Sequence, residues 1–236
     1  ISPSRIDRLN ACDNYIDDVS DDDLASVVKS GLFTASTTFE ACKDSGAVII
    51  CVPTPVSEHK DPDLTAIRSA SEGIAPFVTA GQIVILKSTT FPTTTENVVQ
   101  PILESISGLK AGVDFHLAYS PERVDPGNTK WTTANTPIVV GGLTEACSKN
   151  ASELLAEITP NVKIVSSPRV AELEKLLENI FRSVNIALVN EMAMLCDRMG
   201  GVNLWEVVDA AATKPFGFMT CYPGPGLGGH CIPIDP

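Results

Sequence analysis

No G-x-G-x-x-G follows an apolar run anywhere in this chain, so the loop that seats a dinucleotide pyrophosphate on a helix N-terminus is not legible. Gly224-Pro-Gly226-Leu-Gly228-Gly229 imitates it, but follows no strand and contains proline. No apolar stretch approaches the length of a membrane span, and no signal peptide is recognisable. Basic residues are scarce: 17 Lys and Arg stand against 29 Asp and Glu, for a net charge of −12. That balance argues against nucleic acid or an anionic membrane as partner, because both reward a basic face. It leaves room for an anionic nucleotide in a locally positive pocket. There is no C-x-x-C pair, and the seven cysteines (Cys12, Cys42, Cys51, Cys147, Cys196, Cys221, Cys231) are odd in number and scattered. Cys51 and Cys196 lie in apolar runs, where a reduced thiol behaves as a small hydrophobe. We therefore expect a reducing, cytoplasmic setting rather than a disulfide framework. Internal repeats are absent, and metal ligation is not expected, since His230 beside Cys231 has no second Cys/His cluster to complete a site.

What is present reads as an α/β chain of 236 residues, 44% hydrophobic and 19% charged. Short apolar, β-branched runs at Ala47–Val52, Gln82–Leu86, His116–Tyr119, Pro137–Val140 and Val162–Val165 predict strands, with the first two buried and parallel. A brief strand is expected at Phe33–Ser36. Helices are expected at Ser4–Asn10, from an Asp21 or Asp22 cap through Lys29, at Asp63–Val78, Thr93–Ser105 and near Glu145–Ile158, with a turn at Thr38–Lys43. Strands alternating with helices imply a mainly parallel sheet. The pattern changes near residue 167. From Val170 to Met199 neither Gly nor Pro intervenes. Leu173, Leu177, Ile180, Val184, Leu188, Leu195 and Met199 recur at helical spacing, predicting one long amphipathic helix ended by Gly200-Gly201. A second helix, Asn203–Ala212, is capped by Asn203. We thus divide the chain into residues 1–167 and 168–236.

The last stretch, Lys214–Pro236, holds KPFGFMTCYPGPGLGGHCIPIDP. Its glycines and prolines forbid helix interior and central strand alike. A thiol on such a constrained turn, with a carboxylate four residues on, suits a covalent mechanism, and a surface turn with an incidental Cys is the plain alternative. Spacing alone does not rank Cys231 above Cys221. Glu122, just after a strand end, is placed to orient water, or simply pairs with Arg123. Lys175 and Asn179 lie four apart on the long helix, away from most of the leucines, and can present a cation and an amide to one point, as an oxyanion requires. A solvated helix face is the alternative there. Arg182 and Asn190 extend roughly that face.

GPGLGGHCIPIDP resembles the catalytic-cysteine signature of the UDP-sugar 6-dehydrogenases, within the UDP-glucose/GDP-mannose dehydrogenase family. KPFGF and YSPERVDPGN (Tyr119–Asn128) resemble the branch acting on UDP-N-acetylhexosamines. The likeness runs over essentially the whole chain. It implies a partial Rossmann-like domain, its first βα unit lying before Ile1, then a helical 6-phosphogluconate-dehydrogenase-like domain. A C-terminal UDP-binding domain would lie beyond Pro236. The chain opens on ISPSRIDRLN and closes on Ile-Asp-Pro, and we expect a longer protein around it. The resemblance implies NAD as cofactor, held by Arg5, Val52, Pro53, Thr54, Ser88 and Thr89; turn capping by Thr54 and Thr89 is the alternative on residues alone. It implies Cys231 as nucleophile, Lys175 and Asn179 as oxyanion donors, and Glu122 or Asp235 as water partners, with Thr89 also in the catalytic group. Glu122, Arg123, Lys175, Asn179, Gly228 and Gly229 would contact the UDP-sugar. Pairing of two subunits through the helix at 170–199 is implied too. A β-hydroxyacid or 6-phosphogluconate-type dehydrogenase needing no catalytic Cys, or a fragment serving only as a dimerisation core, are the competing readings.

Overall fold

The computed structural model describes residues 2–56, 61–125, 128, 130–229 and 232. Five strands form one sheet in the order β1 (Ala47–Ile50), β2 (Ile83–Leu86), β3 (His116–Tyr119), β4 (Ile138–Gly142) and β5 (Val162–Ile164). β1, β2 and β3 are parallel, as are β4 and β5; β3 and β4 pair antiparallel. The mainly parallel sheet expected from the apolar runs is therefore present.

Alternation along each strand divides the core in two. Val84, Leu86, Leu117 and Tyr119 face α3 (Thr65–Ile74) and α4 (Gln100–Ser107), meeting Ile67, Ile74 and Leu103. Ile85, Ala118, Ile138 and Val140 face α5 (Glu145–Ala156), meeting Ala151 and Leu155. α5 spans β2 to β5 but stops short of β1. This corrects the expectation of a fully buried first strand: Ile49, paired with Ile85 in register, remains 39% exposed.

Ahead of the sheet lie α1 (Pro3–Asn10) and α2 (Asp21–Lys29). The cap of α2 is Ser20, not Asp21 or Asp22; its Oγ accepts from the Asp23 amide at 3.1 Å and donates to the Asp23 carboxylate at 2.6 Å. The aspartates instead fill the first turn, where the helix dipole favours them. Phe33–Ser36 joins no sheet among the described residues. Its backbone is met by the Asn10 side chain, which donates to the Ala35 carbonyl and accepts from the Ala35 amide, each at 2.9 Å. The segment expected as a helix from Thr93 begins as a π-helical turn at Thr95–Val99, then tightens into α4, with Pro101 in its first turn.

α6 (Pro168–Met199) runs 32 residues and ends at Gly200, whose φ of +70° favours glycine. α7 (Leu204–Ala212) follows, with Asn203 Oδ1 accepting from the Trp205 amide. α6 starts against β4 because Gly141 has no side chain: a Cβ there would sit 2.1 Å from the Ser167 carbonyl oxygen. The N-terminal part of α6 packs on β3 and β4. Its buried residues are Pro168, Ala171, Glu172, Asn179 and Cys196. The predicted apolar stripe faces outward: Leu177 is 63% exposed, Leu188 58% and Met199 65%. The expected periodicity is present, and the side of the helix that carries Glu172 and Asn179 is the buried one.

Candidate active site

The C-terminal ends of β1, β2 and β3 lie side by side, and the loops leaving them carry most of the predicted site residues. After β1 come Val52, Pro53 and Thr54; after β2, Ser88 and Thr89; after β3, Glu122 and Arg123. The first two loops are stitched together. The Val52 amide donates to Ser88 Oγ at 2.8 Å, and Thr54 Oγ1 donates to the Thr89 carbonyl at 2.7 Å. A small cleft opens here, lined by Thr54, Val56, Leu64, Thr89, Phe91 and, from α6, Leu176. Arg5 lines neither this cleft nor the larger one below; its guanidinium lies 5.4 Å from the Tyr15 ring centroid.

Glu122 does not pair with the Arg123 side chain, as one sequence reading allowed. Its Oε2 accepts from Lys87 Nζ at 2.8 Å, and its Oε1 accepts from the amides of Arg123 and Val124 at 2.9 and 2.8 Å. Burial pushes the Glu122 carboxyl up, but the Lys87 ammonium and the Val124 and Arg123 amides outweigh it and hold the group below its ordinary value. A carboxylate so held is an acceptor, suited to orienting a water molecule.

Arg123 turns the other way. Nη1 donates to the Pro137 carbonyl at 2.8 Å, and Nη2 pairs with Glu178 on α6. Around this bridge lies a cleft of about 470 Å³, walled by Arg123, Lys175, Asn179 and Arg182, with Trp131 and Phe181 as its aromatic sides. Lys175 and Asn179 thus do converge, one turn apart, on one cavity. Asn179 is buried, and Arg182, farther along the same helix, also lines the cavity. Arg123, Lys175 and Arg182 bring three cations to one cleft of an acidic chain, with Asp125 and Glu178 also in its lining.

α6 separates the two clefts, sending Leu176 into one and Lys175 and Asn179 into the other. Farther along it, Asn190 holds the glycine-rich stretch: Oδ1 accepts from the Gly224 amide at 2.9 Å, and Nδ2 donates to the Gly226 carbonyl at 3.3 Å. Gly228 and Gly229 both have positive φ, +70° and +75°, which accounts for glycine at each. His230, Cys231 and Asp235 lie outside the described residues, whereas Ile232 is described and buried. Cys221 is a free, partly exposed thiol, and Cys51 a free, exposed one. No cluster of three or more metal-ligating side chains occurs among the described residues.

Sequence reasoning missed Lys87, Glu174, Glu178 and Glu172. Lys87 had a usable signal, since it directly follows a strand at the same edge as Ser88. Glu172 is fully buried and accepts from the amides of Thr93 and Thr95 and from Thr95 Oγ1 at 2.5, 2.9 and 2.7 Å. It fastens α6 to the loop leaving β2, at a residue, Thr93, whose φ is +82°.

Comparison with known proteins agrees with this arrangement. Residues 1–159 match the NAD binding domain of the UDP-glucose/GDP-mannose dehydrogenase family, and residues 169–236 match its central domain. UDP-N-acetyl-D-mannosamine dehydrogenase of Escherichia coli is 38% identical over 100% of this chain and 57% of its own length. UDP-N-acetyl-D-glucosamine 6-dehydrogenase of Pseudomonas aeruginosa is 39% identical over 94% of this chain and 52% of its own. Among solved structures, UDP-D-ManNAc dehydrogenase from Pyrococcus horikoshii superposes with a TM-score of 0.93 at 36% identity, covering 100% of this chain and 56% of that one. The chain spans about half the length of these relatives. With the two matched segments following one another along the sequence and the same sheet and long helix in a solved relative, the chain belongs to the UDP-glucose/GDP-mannose dehydrogenase family.

Proposed function

We propose that this chain carries the NAD-binding and catalytic parts of a UDP-N-acetylhexosamine 6-dehydrogenase, with UDP-N-acetylglucosamine as substrate. The two parts divide near residue 167. The observation that carries the reading is the cleft in which α6 sets Lys175 and Asn179 beside the loop that holds Glu122.

The edge formed by Val52, Pro53, Thr54, Ser88 and Thr89 fits a nicotinamide dinucleotide, since hydroxyls and apolar walls meet at the C-terminal ends of parallel strands. Arg5 is assigned to the adenosine end by the resemblance alone. When bound, NAD would supply the hydride acceptor twice, first for the C6 alcohol, whose hydroxyl proton passes to a carboxylate-activated water or Lys175, and then for the thiohemiacetal. Cys231 thiolate adds to the aldehyde carbon, forming the C–S bond of that thiohemiacetal and holding the aldehyde in place. Lys175 and Asn179 donate to the oxygen that carries negative charge as the bond forms and again as water attacks the thioester. Glu122, or Asp235, orients that water and takes its proton; the C–S bond breaks and the acid leaves with the thiol restored. Gly228 and Gly229 border the sugar, and the cations around the cleft favour an anionic ligand.

KPFGF and the GHC form favour an N-acetylated sugar. Relative kcat/KM for UDP-N-acetylglucosamine, UDP-N-acetylmannosamine and UDP-glucose decides the hexose. Cys231→Ser at full natural length tests the covalent step: uronic acid output should vanish, and unchanged output would sink the assignment. The exposed stripe on α6 also supports a second copy of the chain as partner, through residues 170–199.

A further inference from the structure

Four charged side chains meet where the loop after β3 touches α6. Arg123 Nη2 pairs with Glu178 and lies 3.8 Å from Glu174 Oε1. Lys175 stands between these two glutamates in sequence and lines the same cleft. Arg123 also reaches the Pro137 carbonyl, so one guanidinium joins three segments: the loop after β3, the lead into β4, and α6. The backbone amides of Arg123 and of the next residue, Val124, are the ones that donate to Glu122 Oε1. Whatever fixes the Arg123 guanidinium therefore fixes the turn on which the Glu122 carboxylate rests.

We propose that Glu178, seconded by Glu174, is a positioning residue for Glu122, acting through Arg123 to fasten the loop after β3 to α6 beside Lys175 and Asn179. The proposal rests on the function proposed above only for what Glu122 does; the fastening itself does not depend on it. Two features favour a purpose beyond holding the fold together. The pair is only partly buried, with about a quarter to a third of each side chain exposed, so its contribution to stability is modest. It also sits on the wall of the proposed sugar cleft, where a planar guanidinium aimed by carboxylates gives directional precision. Glu174 is the reserve. Its Oε2 is buried without a hydrogen-bond partner among the described residues, and burial together with the neighbouring Glu178 pushes its carboxyl up to about 7. Burial likewise pushes Glu178 up, but Arg123 overrides it and holds Glu178 ionised. One carboxylate is thus committed to the guanidinium and a second stands ready if it is lost.

The test uses Glu178→Gln, Glu178→Asp and Glu174→Gln/Glu178→Gln in the protein at its full natural length. Hydrogen exchange at the amides of Arg123 and Val124 reads the turn directly and needs no turnover. Steady-state kinetics with UDP-N-acetylglucosamine and NAD read its consequence. We expect exchange at these two amides to quicken about tenfold in the double variant and less in Glu178→Gln. In parallel, kcat should fall about tenfold while the KM for NAD holds, with Glu178→Asp restoring most of both. Wild-type exchange at residues 123 and 124 in the double variant would overturn the proposal, whatever the melting temperature does. Faster exchange with unchanged kcat would overturn the positioning role. If the wild type oxidises no UDP-sugar, the function proposed above fails, and the exchange result still decides the fastening.

Discussion

The Glu122 and Glu174 carboxyls are displaced in opposite directions, and their pH signatures differ in sign. Glu122 is held below its ordinary value, so the native state binds fewer protons than the unfolded chain; that stability is present above the usual carboxylate range and is lost as pH falls through the depressed value. Glu174 is raised, so the native state binds more protons; that contribution is present in acid and is lost as pH climbs through about 7. Lys87→Met should therefore move the Glu122 carboxyl titration, followed by carbon NMR, to higher pH. Glu174→Gln should raise the melting temperature relative to wild type more at pH 8 than at pH 5. The opposite order would show that Glu174 is ordinarily ionised. At this scale the sequence was informative wherever position alone sufficed. Glu122 follows a strand, and Lys175 and Asn179 share a helix face. Their pairings were not legible: Lys87 could be placed after a strand, but Lys87 reaches Glu122 across 35 residues and Arg123 reaches Glu178 across 55, separations that topology closes and spacing does not.

Among the elements, the strands were the most readable, because short β-branched runs bounded by Gly and Pro have few alternatives. Phe33–Ser36 has no partner strand among the described residues; propensity does not supply a neighbour. α6 taught the reverse lesson. Its period was plain, yet hydrophobic spacing states only that a stripe exists, not which way it points. The side that meets the sheet is polar because it closes over loop ends and carries Glu172. That buried carboxylate is the main tie between α6 and the loop leaving β2, and it holds Thr93 in its left-handed conformation. Glu172→Gln replaces an acceptor of three hydrogen bonds with a group that turns a donor towards the Thr93 or Thr95 amide. We expect a loss of about 2 kcal/mol in urea unfolding. A change within about 0.5 kcal/mol would show that the clamp adds little.

For the whole molecule, the stripe through Leu173, Leu177, Val184 and Leu188 is left uncovered by the described residues. Isolated exposed leucines need no explanation, but a stripe along one helix does. If a second copy covers it, Leu177→Glu/Leu188→Glu should halve the mass seen by light scattering and leave the sheet intact by circular dichroism. A wild-type mass unchanged by the substitutions would remove the stripe from the interface. No helix among the described residues is long and apolar enough to cross a membrane. The proposed function has a thiol on the glycine-rich stretch serve both oxidations. The stoichiometry of NADH formed per molecule of UDP-N-acetylglucosamine consumed, by the protein at its full natural length, tests it most directly. The account predicts two NADH and one uronic acid per sugar, with no free aldehyde. One NADH per sugar with the aldehyde released would contradict it.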